Sequence, residues 1–340
     1  MLAGDLGRNG AGVRRVKVYF TVDVEIWPGA WTDIDARFPA AFRHYVYGDT
    51  PFGQYGLPFT LNVLRDHGLR GVFFVEPVFS ARFGLEPLAE VVGLIRDAGQ
   101  DVQMHLHAEW VNEAREPLLA APPREKVQHL AHFGLEDQKT LLAWSMRRLV
   151  AAGADPVTAF RAGSFAFNGD TLTALAANGV GIDSSYNECC LGPESGVWDT
   201  AQSGVPIQPF TVGGVLEVPV TIYRDRPGHL RPMQLTACSL REMLTVLNRA
   251  ADAGQETVMI VSHNFEMLDR RDFSRDEIVA ERFRGLCRFL SRNSDRFETA
   301  TFRDVAPSAH ARQPAMVEGS LPGLAVRYLE QARREYRILR

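Results

Sequence analysis

The chain has 340 residues, 46% of them hydrophobic and 23% charged, with a formal net charge of −4. That is the make-up of an ordinary soluble globular protein, and a pI near 6.2 with scattered arginines lacks the basic footprint of a nucleic-acid binder. Cys189, Cys190, Cys238 and Cys287 are too few and too irregularly spaced for a disulfide framework or a zinc site, so they are expected to be thiols in a reducing compartment. Residues 1–15 are Gly-rich and polar without the apolar core of a signal peptide, and no run approaches a membrane span. The expectation is a cytoplasmic protein with a disordered 1–15 segment and no membrane span.

In chain order, residues 16–25 are β-branched and aromatic and end in Asp23 and Glu25, which predicts a buried first strand with both carboxylates on one face. The aromatic, Pro- and Gly-marked stretch 26–57 is too long for a simple connection and is expected to be a lid lining or covering a site. A helix over 58–67, a strand over 71–75 and a helix over 85–98 follow, and Gly99 then opens a strand carrying His105, His107 and Glu109. A helical region interrupted at Pro122-Pro123 comes next, then a helix over 136–152, a strand over 157–162, a helix over 171–178 and a strand over 181–185. Residues 187–214 read as irregular. Beyond them the pattern gives a strand over 215–220, a helix over 239–253, a strand over 257–262 ending at His263, a helix over 276–292, a strand over 297–301 and a short helix at Arg303. Helix-then-strand repetition with no internal linker predicts an α/β fold, a single distorted seven- or eight-stranded (β/α) barrel over 16–310. The remainder, 311–340, is expected to form a charged amphipathic tail helix over 324–339, packed on the body or on a partner chain, which leaves a homo-oligomer open.

Parallel barrels bring the carboxyl ends of their strands to one mouth. Asp23 and Glu25, then His105, His107 and Glu109, then Arg161, and last His263 all stand at such ends. His and carboxylate side chains together suit a divalent metal of zinc type. His105, His107 and Glu109 share a strand face, but at ~3.3 Å per residue they span roughly 13 Å and cannot all meet one ion unless the strand ends or bends at His107. The metal set is therefore drawn from Glu25, His105, His107 and Glu109. Glu25 with the two histidines is the favoured trio, and Glu109 replaces His107 if the chain turns directly after His105.

In order and spacing these segments resemble the polysaccharide deacetylases of carbohydrate esterase family 4, metal-dependent enzymes that remove N- or O-acetyl groups from sugars. Thr21-Val22-Asp23-Val24-Glu25 looks like the family's Thr-Phe-Asp-Asp-Gly motif, and 99–109 resembles its histidine motif. Phe160-Arg161-Ala162-Gly163-Ser164-Phe165 is similar to the motif whose Arg orients the catalytic base, Asp183-Ser184-Ser185-Tyr186 to the fourth, and Val261-Ser262-His263 to the fifth, whose His is the general acid. Two departures stand out. Val24 occupies the place of the second Asp, a metal ligand in the family, and Glu109 falls where the second His is expected.

The resemblance implies a zinc-type metal that acidifies water and polarises an acetyl carbonyl, with Asp23 as base, Arg161 holding Asp23, and His263 protonating the leaving nitrogen or oxygen. Trp27, Trp31 and Tyr186 are expected to stack on sugar rings. The implied substrate is an acetylated sugar or oligosaccharide, and cytoplasmic placement favours a nucleotide-linked or lipid-linked precursor of surface polysaccharide. Alternatives are a metal-free C–N hydrolase on the same fold, a barrel amidohydrolase, and a non-catalytic carbohydrate-binding protein.

Overall fold

The structure, a computed structural model, describes residues 15–154, 156–269, 271–306 and 313–336. Its main sheet is built from β1 (Val16–Val24), β2 (Val72–Val75), β3 (Asp101–Leu106), β4 (Ala159–Ala162), β5 (Ile182–Asp183), β6 (Phe210–Val212), β7 (Val215–Glu217), β8 (Thr257–His263) and β9 (Phe297–Thr299). The strand order is β8-β1-β2-β3-β4-β5-β7-β6, with β9 paired to the first residues of β1. Every pairing is parallel except the β6–β7 hairpin.

The sheet curls into a barrel. Between β7 and β8 the circle is completed by irregular contacts. Met233 N–H donates to the Thr221 carbonyl (2.7 Å), Val261 N–H to Met233 (2.8 Å), and Leu235 N–H to Val261 (2.9 Å). Met259 N–H also donates to Thr221 Oγ1 at 2.7 Å.

Strand alternation sorts side chains into two cores. Val18, Phe20, Val22 and Val24 of β1 belong to a large cluster shared with the helices, whereas Tyr19 joins Val72, Phe74, Ala159, Val218, Met259 and Phe302 in a separate one. Phe302 lies in the short turn predicted at Arg303 and stacks on Tyr19, with ring centroids 5.3 Å apart. The inward positions after Tyr19 on β1 are Thr21 and Asp23, so apolar filling at one end gives way to polar groups at the carboxyl ends.

The helices that cover the strands are α1 (Ile34–Phe42), α2 (Leu57–Asp66), α3 (Leu85–Asp97), α4 (Leu135–Ala151), α5 (Gly169–Ala177), α6 (Leu240–Asp252), α7 (Glu277–Arg292) and α8 (Leu321–Tyr336). Their starts follow from local chemistry. Asn168 and Ser239 close capping boxes with Thr171 and Glu242, and Asp276 accepts from Val279 N–H.

The 26–57 stretch is itself structured: α1, a π-helical turn at Arg43–Tyr47 and the small hairpin Asp49–Thr50/Gly53–Gln54. Gly48 and Gly56 let its two ends touch, since a Cβ on Gly48 would lie 2.4 Å from Gly56 N. Asn264, just past β8, pins the stretch by donating to the Tyr45 carbonyl (2.6 Å) and the Glu25 carbonyl (3.1 Å).

Two expectations need correcting, and one unassigned stretch proves structured. The helical region predicted after Glu109 consists only of the short turns Ala108–Glu113 and Leu130–His132, because Pro117, Pro122 and Pro123 remove donors in between. Residues 222–232, unassigned by pattern, form the hairpin Ile222–Arg226/His229–Pro232. The tail helix begins three residues before 324, with Pro322 in its first turn where the missing N–H costs nothing.

This helix is bound to the body by buried ions. Arg327 donates to Asp225 Oδ2 (2.6 Å) and Glu242 Oε1 (3.1 Å), and Arg282 reaches Glu330 at 2.6 Å. The disordered segment expected over 1–15 lies outside the described residues except for Arg15, which pairs with Glu298 at 2.9 Å.

Candidate active site

β1 and β8 run in register with Asp23 opposite His263, and β3 and β4 with His105 opposite Arg161. One residue beyond β1, Glu25 turns its Oε1 towards three imidazoles: His107 Nε2 at 3.0 Å, His105 Nε2 at 3.1 Å and His263 Nε2 at 3.9 Å. Its Oε2 accepts from Trp27 Nε1 at 2.7 Å. Two groups of potential ligands gather here, Glu25 with His105 and His107, and Asp23 with Glu25 and His263, each with donor atoms within 4.8 Å of one another.

The other ring nitrogens decide what these imidazoles can do. His105 Nδ1 is 2.7 Å from the Arg161 carbonyl, which only accepts, so that nitrogen carries the proton. His107 Nδ1 faces Glu109 Oε2 at 3.3 Å, again an acceptor. In the neutral rings both Nε2 lone pairs therefore point at one carboxylate oxygen. Such a meeting needs positive charge, either a second proton on each ring or a cation held by all three.

A tetrahedral ion with bonds of ~2.0–2.2 Å gathers donors roughly 3.3 Å apart, close to the distances found. Backing each ligand histidine with a carbonyl or carboxylate is also the usual support of a metal site. The donor set thus fits a zinc-type ion. Glu109 stands behind His107 rather than among the converging donors, because β3 ends at Leu106 and the turn Ala108–Glu113 swings Glu109 back.

Charge and burial reinforce the cluster. Burial alone would raise the Glu25 carboxyl, but His107 and His105 hold it well below the usual carboxylate range. The same carboxylate and Glu109 raise His107 well above an ordinary imidazole against the effect of burial. His263, which burial would lower, is raised to about 9 by its hydrogen bond to Glu266 and by the charge of Glu25. Its Nδ1 lies 2.9 Å from Glu266 Oε1, and Gln234 and Ser262 hold Glu266 in turn, at 2.7 and 3.2 Å.

Arg161 is fully buried and saturated. It reaches Asp23 Oδ1 (2.7 Å) and Thr21 Oγ1 (2.8 Å) with one nitrogen and Ser184 Oγ (3.0 Å) and its carbonyl (3.1 Å) with the others, and its guanidinium lies 4.3 Å over the Phe74 ring. Below it sit two carboxyls, Asp183 and Glu217. Burial raises Asp183 to about 6, while burial and the neighbouring Asp183 raise Glu217 well above its usual range.

Gly163 admits the His107 ring, since a Cβ there would lie 2.7 Å from Nδ1. The next residues, Ser164 and Phe165, adopt φ of 55° and 58°. That is a left-handed geometry with a strain cost, and such strain concentrates at functional sites.

The aromatic expectations fare differently. Trp27 stands edge-on to His107 with centroids 4.7 Å apart, and Trp31 packs edge-on to Trp27 and Trp110 under Lys126, whose Nζ is 3.8 Å from the ring centroid. Trp27 borders Glu25 and Trp31 lines a separate cavity, and both rings are engaged in protein contacts. Tyr186 is 1% exposed and donates its hydroxyl to Glu188 at 2.7 Å, so it offers no ring face to a sugar. It lies three residues beyond β5, where its N–H donates to Glu217 Oε1 at 3.0 Å. His44 stacks on Phe273 at 4.5 Å.

Two residues of the site escaped the sequence reading. Glu76, at the end of β2, accepts from the backbone N–H groups of His107 and Val78, and burial pushes its carboxyl up to about 8. Its strand-end position was the available signal. Glu266 was signalled only by its three-residue spacing from His263.

No family model and no curated protein matches the sequence. Among solved structures, a Mycobacterium smegmatis protein assigned to the polysaccharide deacetylases superposes with a TM-score of 0.52, over 89% of this chain and 96% of its own, at 17% identity. The chain has the polysaccharide deacetylase fold. A family 4 carbohydrate esterase from Streptomyces lividans, in complex with acetate, aligns over 91% of this chain and 100% of its own with a TM-score of 0.43 and 12% identity. A family 4 pseudoenzyme from Bacillus anthracis aligns over 84% and 64% with a TM-score of 0.42 and 11% identity. Among the described residues, no helix of this polysaccharide deacetylase fold is long and apolar enough to cross a membrane.

Proposed function

We propose that the protein is a metal-dependent hydrolase that removes an acetyl group from an N- or O-acetylated saccharide. The observation that carries this reading is the meeting of two imidazole nitrogens, whose partner nitrogens are both occupied, on one oxygen of Glu25. Glu25, His105 and His107 would hold the metal, which when bound lowers the pKa of water and polarises the acetyl carbonyl.

The chain's own groups supply the remaining chemistry. Asp23, fixed by Arg161, takes a proton from the attacking water. The C–N or C–O bond to the acetyl carbon breaks, and His263 gives its proton to the departing nitrogen or oxygen, leaving acetate and the free sugar group. Glu266 keeps His263 Nε2 turned towards Glu25 and Asp23.

The test is metal analysis of protein purified without chelator, together with acetate release from acetylated sugars. Asp23→Asn should keep its metal and lose about 10²–10⁴-fold in turnover. Unaltered turnover removes Asp23 from the mechanism, and absence of both metal and acetate release overturns the reading.

A further inference from the structure

His263 is also a wall residue of a cavity of about 640 Å³ that runs away from Glu25 towards the C-terminal helix. The barrel side of this cavity carries Gln234, Thr236, Phe265 and Glu266, and the facing wall is α8, through Gln331, Arg334 and Glu335. Two other cavities, of about 370 Å³ beside Trp31 and about 310 Å³ between α7 and α8, are lined by none of the residues gathered around Glu25. The volume falls in the ~300–1,000 Å³ range of small-ligand sites, far more than an acetyl group needs.

We infer that this cavity binds the sugar portion of the substrate that departs with the proton of His263, and that α8 is thereby a specificity-determining part of the site. The inference rests on the deacetylase reading above. Its place follows from direction. His263 Nδ1 is tied to Glu266 and its Nε2 faces Glu25, so the atom that receives its proton lies at the boundary between the metal side and the cavity.

The ligand class follows from the lining. Arg271 is paired with Asp269, and Arg334 donates to Asp276 Oδ2 at 2.6 Å, while Glu266 is spent on His263 and Gln234. Among the described lining residues, charges are matched or acidic, and the rest are amides, a hydroxyl, Leu268 and the Phe265 ring. Amides and paired ions suit hydroxyl groups, and an aromatic edge suits the apolar face of a sugar. A phosphate-bearing ligand would meet Glu266, Asp269 and Glu335, while Arg271 and Arg334 are each already held by a carboxylate. The occupant is therefore a neutral saccharide of more than one ring. The wall can select it because α8 is anchored by Arg327 to buried Asp225 and Glu242.

The test fills the cavity from either side, with Gln331→Trp on α8 and Thr236→Phe opposite, after thermal melting confirms that both variants fold. Acetate release is measured on a panel of acetylated tetrasaccharides of differing linkage and on 4-nitrophenyl acetate, which has no sugar. The expected result is a fall of about tenfold or more in the ratio of kcat/KM for the best tetrasaccharide to that for the ester, in both variants. An unaltered ratio overturns the inference. Loss of acetate release in wild type from every compound would overturn the deacetylase reading instead, and calorimetric binding of the panel then decides the cavity alone. Tetrasaccharide binding to wild type that weakens in both variants supports it, whereas no binding, or equal binding, overturns it. Tighter binding of uridine diphosphate than of any tetrasaccharide would overturn the neutral-sugar class.

Discussion

The two flanks of Glu25 are built on opposite principles. On one side His105, His107, Glu109, Trp27 and Glu76 are packed so closely that the histidines are 1% and 5% exposed and both nitrogens of each ring are committed. On the other, the His263 side chain is 21% exposed and opens on a cavity whose far wall arrives from the end of the chain. The first flank is made by consecutive strand ends of the barrel and tolerates no slack, as the Gly163 contact shows. The second is assembled from two loops, after Pro232 and after His263, and an added helix. Chemistry that depends on tenths of an ångström sits on the rigid scaffold, and recognition sits on the appended wall.

The sharpest break of this comparison is on the closed flank. Glu25→Ala should lose the metal and reduce turnover to background, since it removes the carboxylate that both imidazoles share. Glu109→Gln, one step behind, should keep the metal with ~10–100-fold weaker affinity, measured by chelator competition. Equal loss in the two variants would place Glu109 among the ligands. On the open flank, His263→Ala should cost about 10²–10⁴-fold on an amide, whose nitrogen must be protonated to leave, and far less on an activated ester. Equal losses on both substrates would remove the general-acid role.

The smallest effect lies beneath both flanks, in the Asp183–Glu217 pair. Its native carboxyls bind protons more tightly than in the unfolded chain, Asp183 at about 6 against 3.8. The contribution of Asp183 to stability is therefore fully present below pH 3.8 and is lost as pH rises through about 6, on the order of 1–3 kcal/mol. Denaturant titrations from pH 4 to 8 should show wild type losing stability relative to Asp183→Asn over that window. Parallel curves would show that Asp183 takes up no extra proton on folding.

Much of this site could be read in one dimension because strand alternation and strand-end position are local properties. Asp23 and Glu25 announce a shared face, His105 and His107 another, and His263 ends the apolar run of β8. What escaped was of a different kind. Glu76 and Glu266 act on histidines through backbone N–H groups or through a turn, and such partnerships leave almost no spacing signal. Tyr186 was misread because a tyrosine after a strand looks like a binding-site ring until packing shows it buried. The helical region expected after Glu109 was already broken at Pro122-Pro123 in the reading, but with Pro117 as well the backbone keeps only the short turns Ala108–Glu113 and Leu130–His132.

By itself, then, the sequence determined the alternation of strands and helices, the convergence of acidic and imidazole side chains at strand ends, and the choice of ligand chemistry, since these follow from periodicity and residue type. Only the tertiary structure decided which donors meet. The end of β3 at Leu106 sends Glu109 behind His107, and the Arg161 carbonyl, 56 residues away from His105, sets that ring's tautomer. It also decided that a helix beginning at Leu321 faces His263 across a cavity, through the pairing of Arg327 with Asp225 and Glu242. Contacts between residues so distant in sequence depend on how the barrel closes, and barrel closure is a property of the whole chain.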